Sequence, residues 1–342
     1  MSTVINDTIT VADAPDIPGL TFRHFRGESD FPEMLVVSEA SKRADDIEDA
    51  SSLENIKANY ANLKNCDPYQ DMVMAEVDGK LVAYNRTEWS VEDGGSHIYS
   101  HFGFVLPEWR GKGIGRAMIR QIERRLREIA AGHPQEQPAS FDTWLNDKQI
   151  GLKGLLESEG YTPVRFSYDM VRPNLDNIPD APLPEGIEVR PVQPEQYRAI
   201  WEAEGEAFKD HWGHTQHDES DFERWQQSNT WHKFQPEMWQ VAWDGDQVVG
   251  MVRNFINEDE NAKFNRKRGY TENISVRRLW RKRGVARALI ARSFQVHKNL
   301  GMEDAALGVD AQNPNGALQL YQSMGFEVVK SGAAYRKPLN PK

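Results

Sequence analysis

Two short loops rich in small and basic residues are the segments of this chain best suited to chemistry. One reads RGKGIGR over residues 110–116 and the other reads RKRGVAR over residues 281–287, so both fit the pattern Arg-x-x-Gly-x-Gly/Ala. Small residues let the backbone approach a phosphate closely, and the free N–H groups and dipole at the start of a helix favour an anion. Flanking arginine and lysine side chains supply counter-charge. The loops are therefore predicted to bind a phosphate-bearing ligand.

Two common phosphate motifs do not describe these loops. A dinucleotide-binding loop would carry Gly-x-Gly-x-x-Gly after the first strand, and both copies lack the third glycine and lie late in their halves. A P-loop would end in Gly-Lys-Ser/Thr, which neither copy contains. A phosphate loop of another type is favoured.

Each loop lies between a strand pattern and a helix pattern. Short apolar strands are predicted at residues 101–106 and 271–276, and basic amphipathic helices at residues 117–129 and 288–297. A single Gly-x-Gly is weak support for a binding loop, because many tight turns resemble it. Two copies in the same strand–loop–helix order are much stronger support.

Other features of the chain also occur twice. Each half has an alternating first strand, a hairpin with Asp-Gly at its turn and a Gly-aromatic pair near its end. The separation between copies runs from 165 residues (Gly160 to Gly325) to 171 residues (Arg110 to Arg281). This steady separation indicates a duplicated domain.

A proline-rich stretch without periodicity divides the two halves. We predict a mobile leader over residues 1–18, an N-terminal domain over residues 19–172, a linker over residues 173–185 and a C-terminal domain over residues 186–342. Each domain has the order strand, helices, hairpin, strand, phosphate loop, helix, strand, helix, strand. That order predicts an α/β fold with a mixed sheet flanked by helices.

Composition limits the compartment and the partners. The 342 residues suffice for two domains of about 150 residues each. The net charge of −11 argues against broad binding to nucleic acid or to anionic membranes. The single cysteine, Cys66, allows no intrachain disulfide, which fits a reducing cytoplasm. No stretch approaches the ~20 apolar residues of a membrane span, so we expect a cytoplasmic protein without membrane or nucleic-acid partners.

In these motifs the chain resembles the GNAT superfamily of N-acetyltransferases, in tandem form. The repeated loop matches that family's acetyl-CoA pyrophosphate motif, and residues 309–326 resemble its block Asn…Ala-x-x-Leu-Tyr-x-x-x-Gly-Phe. The resemblance covers nearly the whole chain outside the leader and linker. It implies two tandem acyl-CoA N-acyltransferase domains, each with a splayed mixed sheet, and acetyl-CoA as cosubstrate.

The resemblance also implies which residues hold the cofactor. In such folds two parallel strands splay apart beside the loop, and the pantetheine arm bonds to the exposed strand edge like an added strand. The residues assigned to acetyl-CoA in the second half are Ile274, Ser275, Val276, Arg281, Lys282, Arg283, Gly284, Val285, Ala286, Arg287, Asn313 and Gly316. Those assigned in the first half are Gly103, Phe104, Val105, Arg110, Gly111, Lys112, Gly113, Ile114, Gly115 and Arg116.

Two residues of the second half are the candidate catalytic groups. Tyr321 stands at the family's Leu-Tyr position beside the thioester sulfur, and a phenol with a pKa near 10 suits protonation of a thiolate. Glu272, on the strand that enters the loop, is the candidate base, with Tyr270 two residues earlier on the same face. The structural alternatives are a core tyrosine and a solvent-facing carboxylate.

The first half lacks part of this set. Counting back from Gly160 aligns Leu156 with Tyr321, and counting back from the loop aligns His101 with Glu272. A structural role is favoured for His101. The first domain is therefore expected to be degenerate as a catalyst, and the second domain is expected to carry the reaction.

The acceptor pocket is predicted in a stretch rich in aromatic residues and histidine before the second hairpin. Its candidate members are Phe208, His211, Trp212, His214, His217, Trp225 and Trp231, with Tyr270 added from the strand. Histidines spaced three apart around Gly213 miss the usual zinc patterns, so no metal is predicted.

The leading predicted function is acetyl-CoA-dependent N-acetylation of a small-molecule primary amine, by direct transfer in a ternary complex. The alternatives are a non-catalytic acyl-CoA-binding or regulatory protein and a protein or peptide N-acetyltransferase. Self-association into a homodimer stays open.

Overall fold

The chain folds into two compact units, of which the first combines two separate stretches of sequence and the second is one continuous stretch. The first unit contains residues 1–164 and 332–342, and the second contains residues 165–331. The computed structural model describes residues 7–227 and 233–340. Within that part of the chain, no helix has the length and apolar character needed to cross a membrane.

The first unit is a mixed sheet with helices packed against it. Its strands are β1 (Thr8–Ile9), β2 (Leu20–Arg23), β3 (Met72–Val77), β4 (Lys80–Val91), β5 (His97–Val105) and β6 (Ala139–Asn146). A further strand, β7 (Thr162–Arg172), begins in the first unit and continues in the second from residue 165. Its helices are α1 (Phe31–Ala44), α2 (Leu53–Ala61), α3 (Ile114–Ala130) and α4 (Ile150–Ser158). The strands β1 to β6 are neighbours in chain order, and only β5 and β6 pair in parallel among them.

The second unit repeats this architecture. Its strands are β8 (Ile187–Arg190), β9 (Gln240–Asp244), β10 (Gln247–Ile256), β11 (Arg268–Val276), β12 (Asp304–Asp310) and the first part of β13 (Glu327–Pro338). Its helices are α5 (Tyr197–Phe208), α6 (Glu219–Gln226), α7 (Glu258–Lys263), α8 (Val285–Asn299) and α9 (Ala317–Ser323). The strands β8 to β11 pair antiparallel in chain order, and β11 pairs with β12 in parallel. The predicted mixed sheet flanked by helices is confirmed in both halves.

The two halves of the sequence exchange their last strands, so that each unit is completed by a strand from the other half. Residues 167–172 of β7 pair with β12 of the second unit, and residues 332–338 of β13 pair with β6 of the first. The predicted domain limits at residues 172 and 342 assign each strand to the half that precedes it. Because the halves are duplicates, these strands have similar edges and similar apolar faces, so each fits the place of the other.

Residues predicted as a mobile leader are instead part of the first unit from residue 7 onward. β1 pairs with β2, and Val11 is buried in the core against α3. The Asp13 carboxylate lies 3.3 Å from the guanidinium of Arg120 and 3.0 Å from that of Arg124. The predicted linker, residues 173–185, also packs against a folded unit, because Leu175 is buried in the core of the second unit.

Candidate functional site

In each unit the parallel strands separate at the place expected for a bound cofactor. The pairing of β11 with β12 ends at Tyr270 and Ala306, and the pairing of β5 with β6 ends at Ser100 and Asp142. Beyond these pairs, one edge of β11 and one edge of β5 have backbone groups that face a gap between the strands. The backbone of residues 274–276 and 103–105, assigned to pantetheine, lies along these edges.

A β-bulge in β11 is the first feature that sets the second unit apart. Met251 of β10 pairs with Ser275, but Arg253 pairs with Glu272, so β11 has one additional residue between these positions. Asn273 lies in the bulge with φ of 49°. A residue added to one strand changes which side chains share a face. Ile274 therefore packs into the core on α8, whereas Glu272 and Asn273 make their contacts elsewhere.

The Glu272 carboxylate lies in the gap between the separated strands. Its Oε1 accepts a hydrogen bond of 2.8 Å from the backbone N–H of Gly308 on β12. The side chain is half-buried. Burial raises the pKa of Glu272 to about 8, and the nearby Asp169 carboxylate raises it further against the Gly308 hydrogen bond. A carboxylate with this pKa gains and loses a proton close to neutral pH, as a general base requires.

Tyr321 is the second group of the candidate catalytic pair. It lies on α9 with 7% of its surface exposed, and its ring packs edge-on against Phe326 with 6.2 Å between centroids. Burial raises the pKa of the Tyr321 phenol, and the Glu272 carboxylate raises it further. At neutral pH the phenol keeps its proton and can act as a donor.

The two phosphate loops have the same backbone conformation. Gly284 and Gly113 both have φ of 91° and immediately precede the first residues of α8 and α3. Two residues earlier, Lys282 and Gly111 have φ of 62° and 71°. These left-handed conformations suit glycine and turn the chain so that the N–H groups of the helix start face outward. The repeated sequence thus forms a repeated anion-binding geometry.

The first arginine of each loop supports the loop rather than an anion. Arg281 donates to the carbonyl oxygens of Val276 at 2.9 Å and Ala207 at 3.0 Å, and it lies 2.7 Å from the Asp210 carboxylate. Arg110 makes the same set of contacts in the first unit, with Val105, Ser41 and Asp45.

The last arginine of each loop is also held by the protein. Arg287 donates to Ser323 Oγ at 2.7 Å, and Arg116 donates to Ser158 Oγ at 3.0 Å. Counter-charge was expected from all the loop cations. At the second loop, Lys282 and Arg283 are exposed, whereas Arg281 and Arg287 are partly buried.

The turn before α9 lies beside the second loop. Asn313 accepts a hydrogen bond of 2.8 Å from the backbone N–H of Asn315, and Gly316 caps α9 with φ of 76°. The Asn315 side chain lies 3.4 Å from Arg281. The predicted cofactor residues of the loop and of this turn are therefore brought together.

The predicted acceptor-pocket residues divide into two groups. Phe208 and His211 pack against each other with 5.5 Å between ring centroids, and Trp212 lies 5.8 Å from the Arg165 guanidinium on β7. Tyr270 lies apart from these, stacked on Phe255 and hydrogen-bonded through its hydroxyl to Glu260 and Arg266. The loop after α5 thus reaches β7, and Tyr270 is fixed by its own partners.

The histidines of this stretch do not form a cluster typical of a metal site. His214 and His217 pack with 5.5 Å between ring centroids, and His217 stacks on Trp201. Over residues 7–227 and 233–340, no three His, Cys, Asp or Glu side chains are arranged to hold a metal ion. Trp231, the last member predicted for the pocket, lies outside the described residues.

The bulge also corrects the alignment of the two halves. The last residues of β5 and β11, Val105 and Val276, pair with Ala83 and Gly250. Three residues after these partners come Arg86 and Arg253, which pair with Phe102 and Glu272 respectively. The register of β4 with β5 is continuous, so the added residue belongs to β11 alone. Glu272 therefore corresponds to Phe102, and the alignment of Glu272 with His101 is wrong by one residue.

The first unit has apolar or neutral groups where the second has its candidate catalytic pair. Phe102 stands in place of Glu272, and Leu156, in place of Tyr321, is fully buried in the core. His101 Nε2 lies 2.9 Å from the Tyr161 hydroxyl. Burial lowers the pKa of His101 to about 4, and the Lys337 ammonium lowers it further, so the ring is neutral at pH 7. This pairing fits the structural role expected for His101.

The two loops also differ in what surrounds them. A Cβ atom built at Gly113 would lie 3.2 Å from the Cβ of Pro15, whereas one built at Gly284 meets no described atom within 4 Å. The segment before β2 therefore borders the first loop, and the second loop is open on the same side.

The sequence did not reveal the residues that pack against the bulge on the α5 side of the sheet. Glu204, Arg253 and Asn273 form a buried hydrogen-bonded group under the bulge. One signal was present in the sequence, because the separation between copies increases from 166 at the hairpin turns (Asp78 to Asp244) to 171 at the loops. That increase shows that residues are inserted between hairpin and loop, but not which strand receives one.

Comparison with known proteins agrees with this geometry. Residues 39–134 and 197–326, more than half of the chain, match the Acetyltransferase (GNAT) family. The mycothiol acetyltransferase of Geodermatophilus obscurus is 26% identical over 262 residues, which cover 75% of this chain and 79% of that protein. The mycothiol acetyltransferase of Streptomyces bingchenggensis is 28% identical over 277 residues, which cover 78% and 80%.

Solved structures show the same architecture. A GCN5-related N-acetyltransferase from Sphaerobacter thermophilus superposes with a TM-score of 0.72 and 28% identity, covering 96% of this chain and 97% of that one. A tandem GNAT protein from the clavulanic acid biosynthesis pathway has a TM-score of 0.63 at 12% identity, a likeness of fold alone, covering 94% and 99%. The chain belongs to the GNAT acetyltransferase family and is an N-acetyltransferase built from two tandem domains.

Proposed function

We propose that the second unit transfers the acetyl group of acetyl-CoA directly to a small-molecule primary amine in a ternary complex. The observation that carries this proposal is Glu272, whose half-buried carboxylate has a pKa of about 8 and lies in the gap between β11 and β12. A carboxylate is costly to bury without a cation, and such perturbed groups in clefts are typical of catalytic sites. The first unit has Phe102 at this position and acts mainly as a scaffold.

The cofactor is proposed to lie along the second loop and the open edge of β11. The diphosphate is held by the N–H groups at the start of α8, with Lys282 and Arg283 as the accessible cations. The pantetheine arm bonds to the backbone of residues 274–276, beyond the point where β12 stops pairing. This arrangement directs the thioester toward Glu272 and Tyr321.

The proposed reaction uses these two groups in turn. Glu272 removes a proton from the acceptor ammonium, and the free amine forms a C–N bond to the thioester carbonyl. The tetrahedral intermediate then breaks its C–S bond, and the departing thiolate takes a proton from Tyr321. The excess proton on the new amide nitrogen returns to the Tyr321 phenolate, so the products are the neutral amide and free CoA thiol. Burial favours this assignment, because it makes the Glu272 carboxylate a stronger base, with a pKa of about 8, and keeps the Tyr321 phenol protonated until the thiolate leaves.

A small-molecule acceptor is favoured over a peptide. The loop after α5 carries Phe208, His211 and Trp212 and reaches Arg165 on β7, which supports a covered pocket rather than an open groove. The relatives are named mycothiol acetyltransferases, and those names mention no peptide or protein acceptor. A purely regulatory acyl-CoA-binding role would give no reason for a titrating carboxylate in the cleft.

The decisive experiment measures free thiol released from acetyl-CoA in the presence of a panel of small primary amines. We expect one or more amines to raise the rate well above hydrolysis, and initial-velocity plots for acetyl-CoA and amine to intersect. Parallel lines would contradict direct transfer in a ternary complex. Release stimulated by peptides alone would favour the peptide alternative.

The remaining predictions concern the cell and self-association. We infer a cytoplasmic location, because the single cysteine, Cys66, and the acidic composition fit a reducing compartment with a diffusible amine as partner. Fractionation of the native cells tests this. Light scattering tests whether the chain forms a homodimer.

A further inference from the structure

A buried carboxylate lies directly behind the bulge of the second unit. Glu204 on α5 has 7% of its surface exposed. Its Oε1 accepts a hydrogen bond of 2.7 Å from the side-chain amide of Asn273, and its Oε2 accepts one of 2.8 Å from the indole N–H of Trp225 on α6. Arg253 donates to the same carboxylate at 3.0 Å and 3.2 Å. Both oxygens are therefore fully used by partners from three other elements.

The cation of this group is itself enclosed. The Arg253 guanidinium lies 5.0 Å from the ring centroid of Trp225 and 4.9 Å from that of Trp239. Arg253 is also the residue that pairs with Glu272 across the ladder. A buried ion pair of this kind is weak support for stability, but it fixes geometry well because removing either partner leaves a buried charge. The group thus links the strand of the candidate base to α6.

The conformation of Asn273 needs such support. A non-glycine residue with φ of 49° lies in the left-handed region, which costs about 1–2 kcal/mol and is accepted most readily by asparagine and aspartate. The hydrogen bond to Glu204 holds the Asn273 side chain on the α5 face of β11. Because Glu272 is the preceding residue, the same bond determines the direction in which the Glu272 carboxylate leaves the strand.

The first unit lacks both the carboxylate and the bulge. Arg86, which corresponds to Arg253, stacks on Phe102 and Tyr60 at 4.8 Å and 5.1 Å from the ring centroids. The loop arginines contact the carbonyls of Ser41 and Ala207, so counting three residues back aligns Ser38 with Glu204. A small hydroxyl therefore stands where the second unit has its buried acid.

We propose that Glu204 is a positioning residue that fixes the bulge of β11 through Asn273 and ties it to α6 through Trp225. In this arrangement Glu204 does not touch substrate. It fixes the orientation of the Glu272 side chain and of residues 274–276, the strand edge proposed to bind the cofactor. Through Trp225 it also connects them to the aromatic residues predicted for the acceptor pocket. The inference rests on the proposed function of the second unit.

The test variant is Asn273→Gly, because glycine accepts φ of 49° without strain and removes only the bond to Glu204. We expect kcat to fall about 10-fold to 100-fold, since small misplacements of reacting groups have costs of this size. The affinity for acetyl-CoA, measured by calorimetry, should stay within about twofold. The midpoint of the pH profile of kcat/KM should also move, because Glu272 changes its orientation. The matched control is Asn177→Gly, an exposed residue with φ of 50° far from the cleft in sequence, which should leave all three measurements unchanged.

A second variant, Glu204→Gln, tests the other end of the bond. We expect its loss of kcat to be similar to that of Asn273→Gly and the double variant to lose little more, because both changes break one connection. A folded Asn273→Gly protein with the parent's kcat and pH midpoint would overturn the positioning role, whatever Glu204→Gln does to stability. Failure of the parent to bind acetyl-CoA or to release thiol with any amine would instead overturn the proposed function itself.

Discussion

The two units share their cofactor loop and differ in the strand that enters it. Gly113 and Gly284 have the same φ, and the first loop arginines, Arg110 and Arg281, make the same three kinds of contact. The parallel strands separate at corresponding places in both units. What differs is one added residue in β11, and the side chain opposite the buried arginine, which is Glu272 in the second unit and Phe102 in the first. The loop geometry proposed to bind a diphosphate is therefore not what distinguishes the half proposed to be catalytic.

The side chain at one strand position is the clearest difference between the two units. In the first unit the position opposite the buried arginine is Phe102, and its ring lies under the Arg86 guanidinium. In the second unit the corresponding Glu272 accepts a hydrogen bond from the N–H of Gly308 across the gap. The added residue of β11 follows Glu272 directly, so Asn273 also makes its contact on the α5 side of the strand.

The largest expected effect comes from Glu272→Gln. Loss of a general base lowers kcat/KM by about 100-fold to 1,000-fold. In the parent, kcat/KM should rise with pH and level off above about 8, because only the unprotonated carboxylate accepts the proton from the ammonium. The variant should lose this rise. Thiol-release rates at several pH values give both results.

The matched change in the first unit is Phe102→Leu, at the position that corresponds to Glu272. We expect turnover within about twofold of the parent, since this half has no base to lose. A loss comparable to that of Glu272→Gln would show that the first unit takes part in the chemistry.

The next effect concerns cofactor binding. Gly284→Glu forces a bulky residue into φ of 91° and places a carboxylate against the diphosphate, so acetyl-CoA affinity should fall at least about 100-fold. Gly113→Glu should leave that binding event unchanged, although its contact with Pro15 is expected to lower the unfolding midpoint. Calorimetric titration of both variants is the measurement. An equal loss of acetyl-CoA affinity in the two variants would contradict the proposal that only the second loop binds the cofactor in this way.

The third comparison uses the two tyrosines near the ends of the halves. Tyr321→Phe should lower kcat about 10-fold to 50-fold without changing acetyl-CoA affinity, because it removes a proton donor and no cofactor contact. Tyr161→Phe removes the hydrogen bond to His101 and should instead lower the free energy of unfolding by about 1 kcal/mol with kcat unchanged. Chemical denaturation and steady-state rates separate these outcomes. Unchanged kcat in Tyr321→Phe would remove its proposed role.

The sequence was sufficient to predict the features that depend on local chemistry. The loop–helix junctions and the mixed sheet both follow from residue type and order, and the structure contains them. The alignment of Leu156 with Tyr321 did not depend on how strands pair, because each residue is counted back from the Gly-aromatic pair that follows it in its own half. Fold and loop could therefore be predicted together.

Features that depend on long-range pairing could not be predicted. The bulge is visible only when β10 is aligned with β11, so counting from the loop aligned His101 with Glu272. The exchange of last strands depends on which of two similar edges each strand reaches, and both choices have the same sequence pattern. Glu204 resembled an ordinary helix carboxylate, since its partners come from residues 21 to 69 positions away.

The smallest expected effect is on stability, and it has opposite signs in the two units. The pKa of His101 is lowered to about 4, so the first unit loses stability as pH falls from about 6.5 through 4, where the unfolded chain binds the proton first. The pKa of Glu272 is raised to about 8, so the second unit loses stability as pH rises from about 4.5 through 8, where the unfolded chain releases the proton first.

Paired variants isolate each contribution. The unfolding midpoint of Glu272→Gln relative to the parent should increase between pH 5 and pH 9, by a few degrees. The midpoint of His101→Gln relative to the parent should instead improve as pH falls below about 6.5. The buried His297 of the second unit, with its pKa also lowered to about 4, is present in both members of each pair and cancels from the differences. If both differences have the same sign of pH dependence, the opposite electrostatics of the two units are refuted, and with them the reason for assigning the base to one half alone.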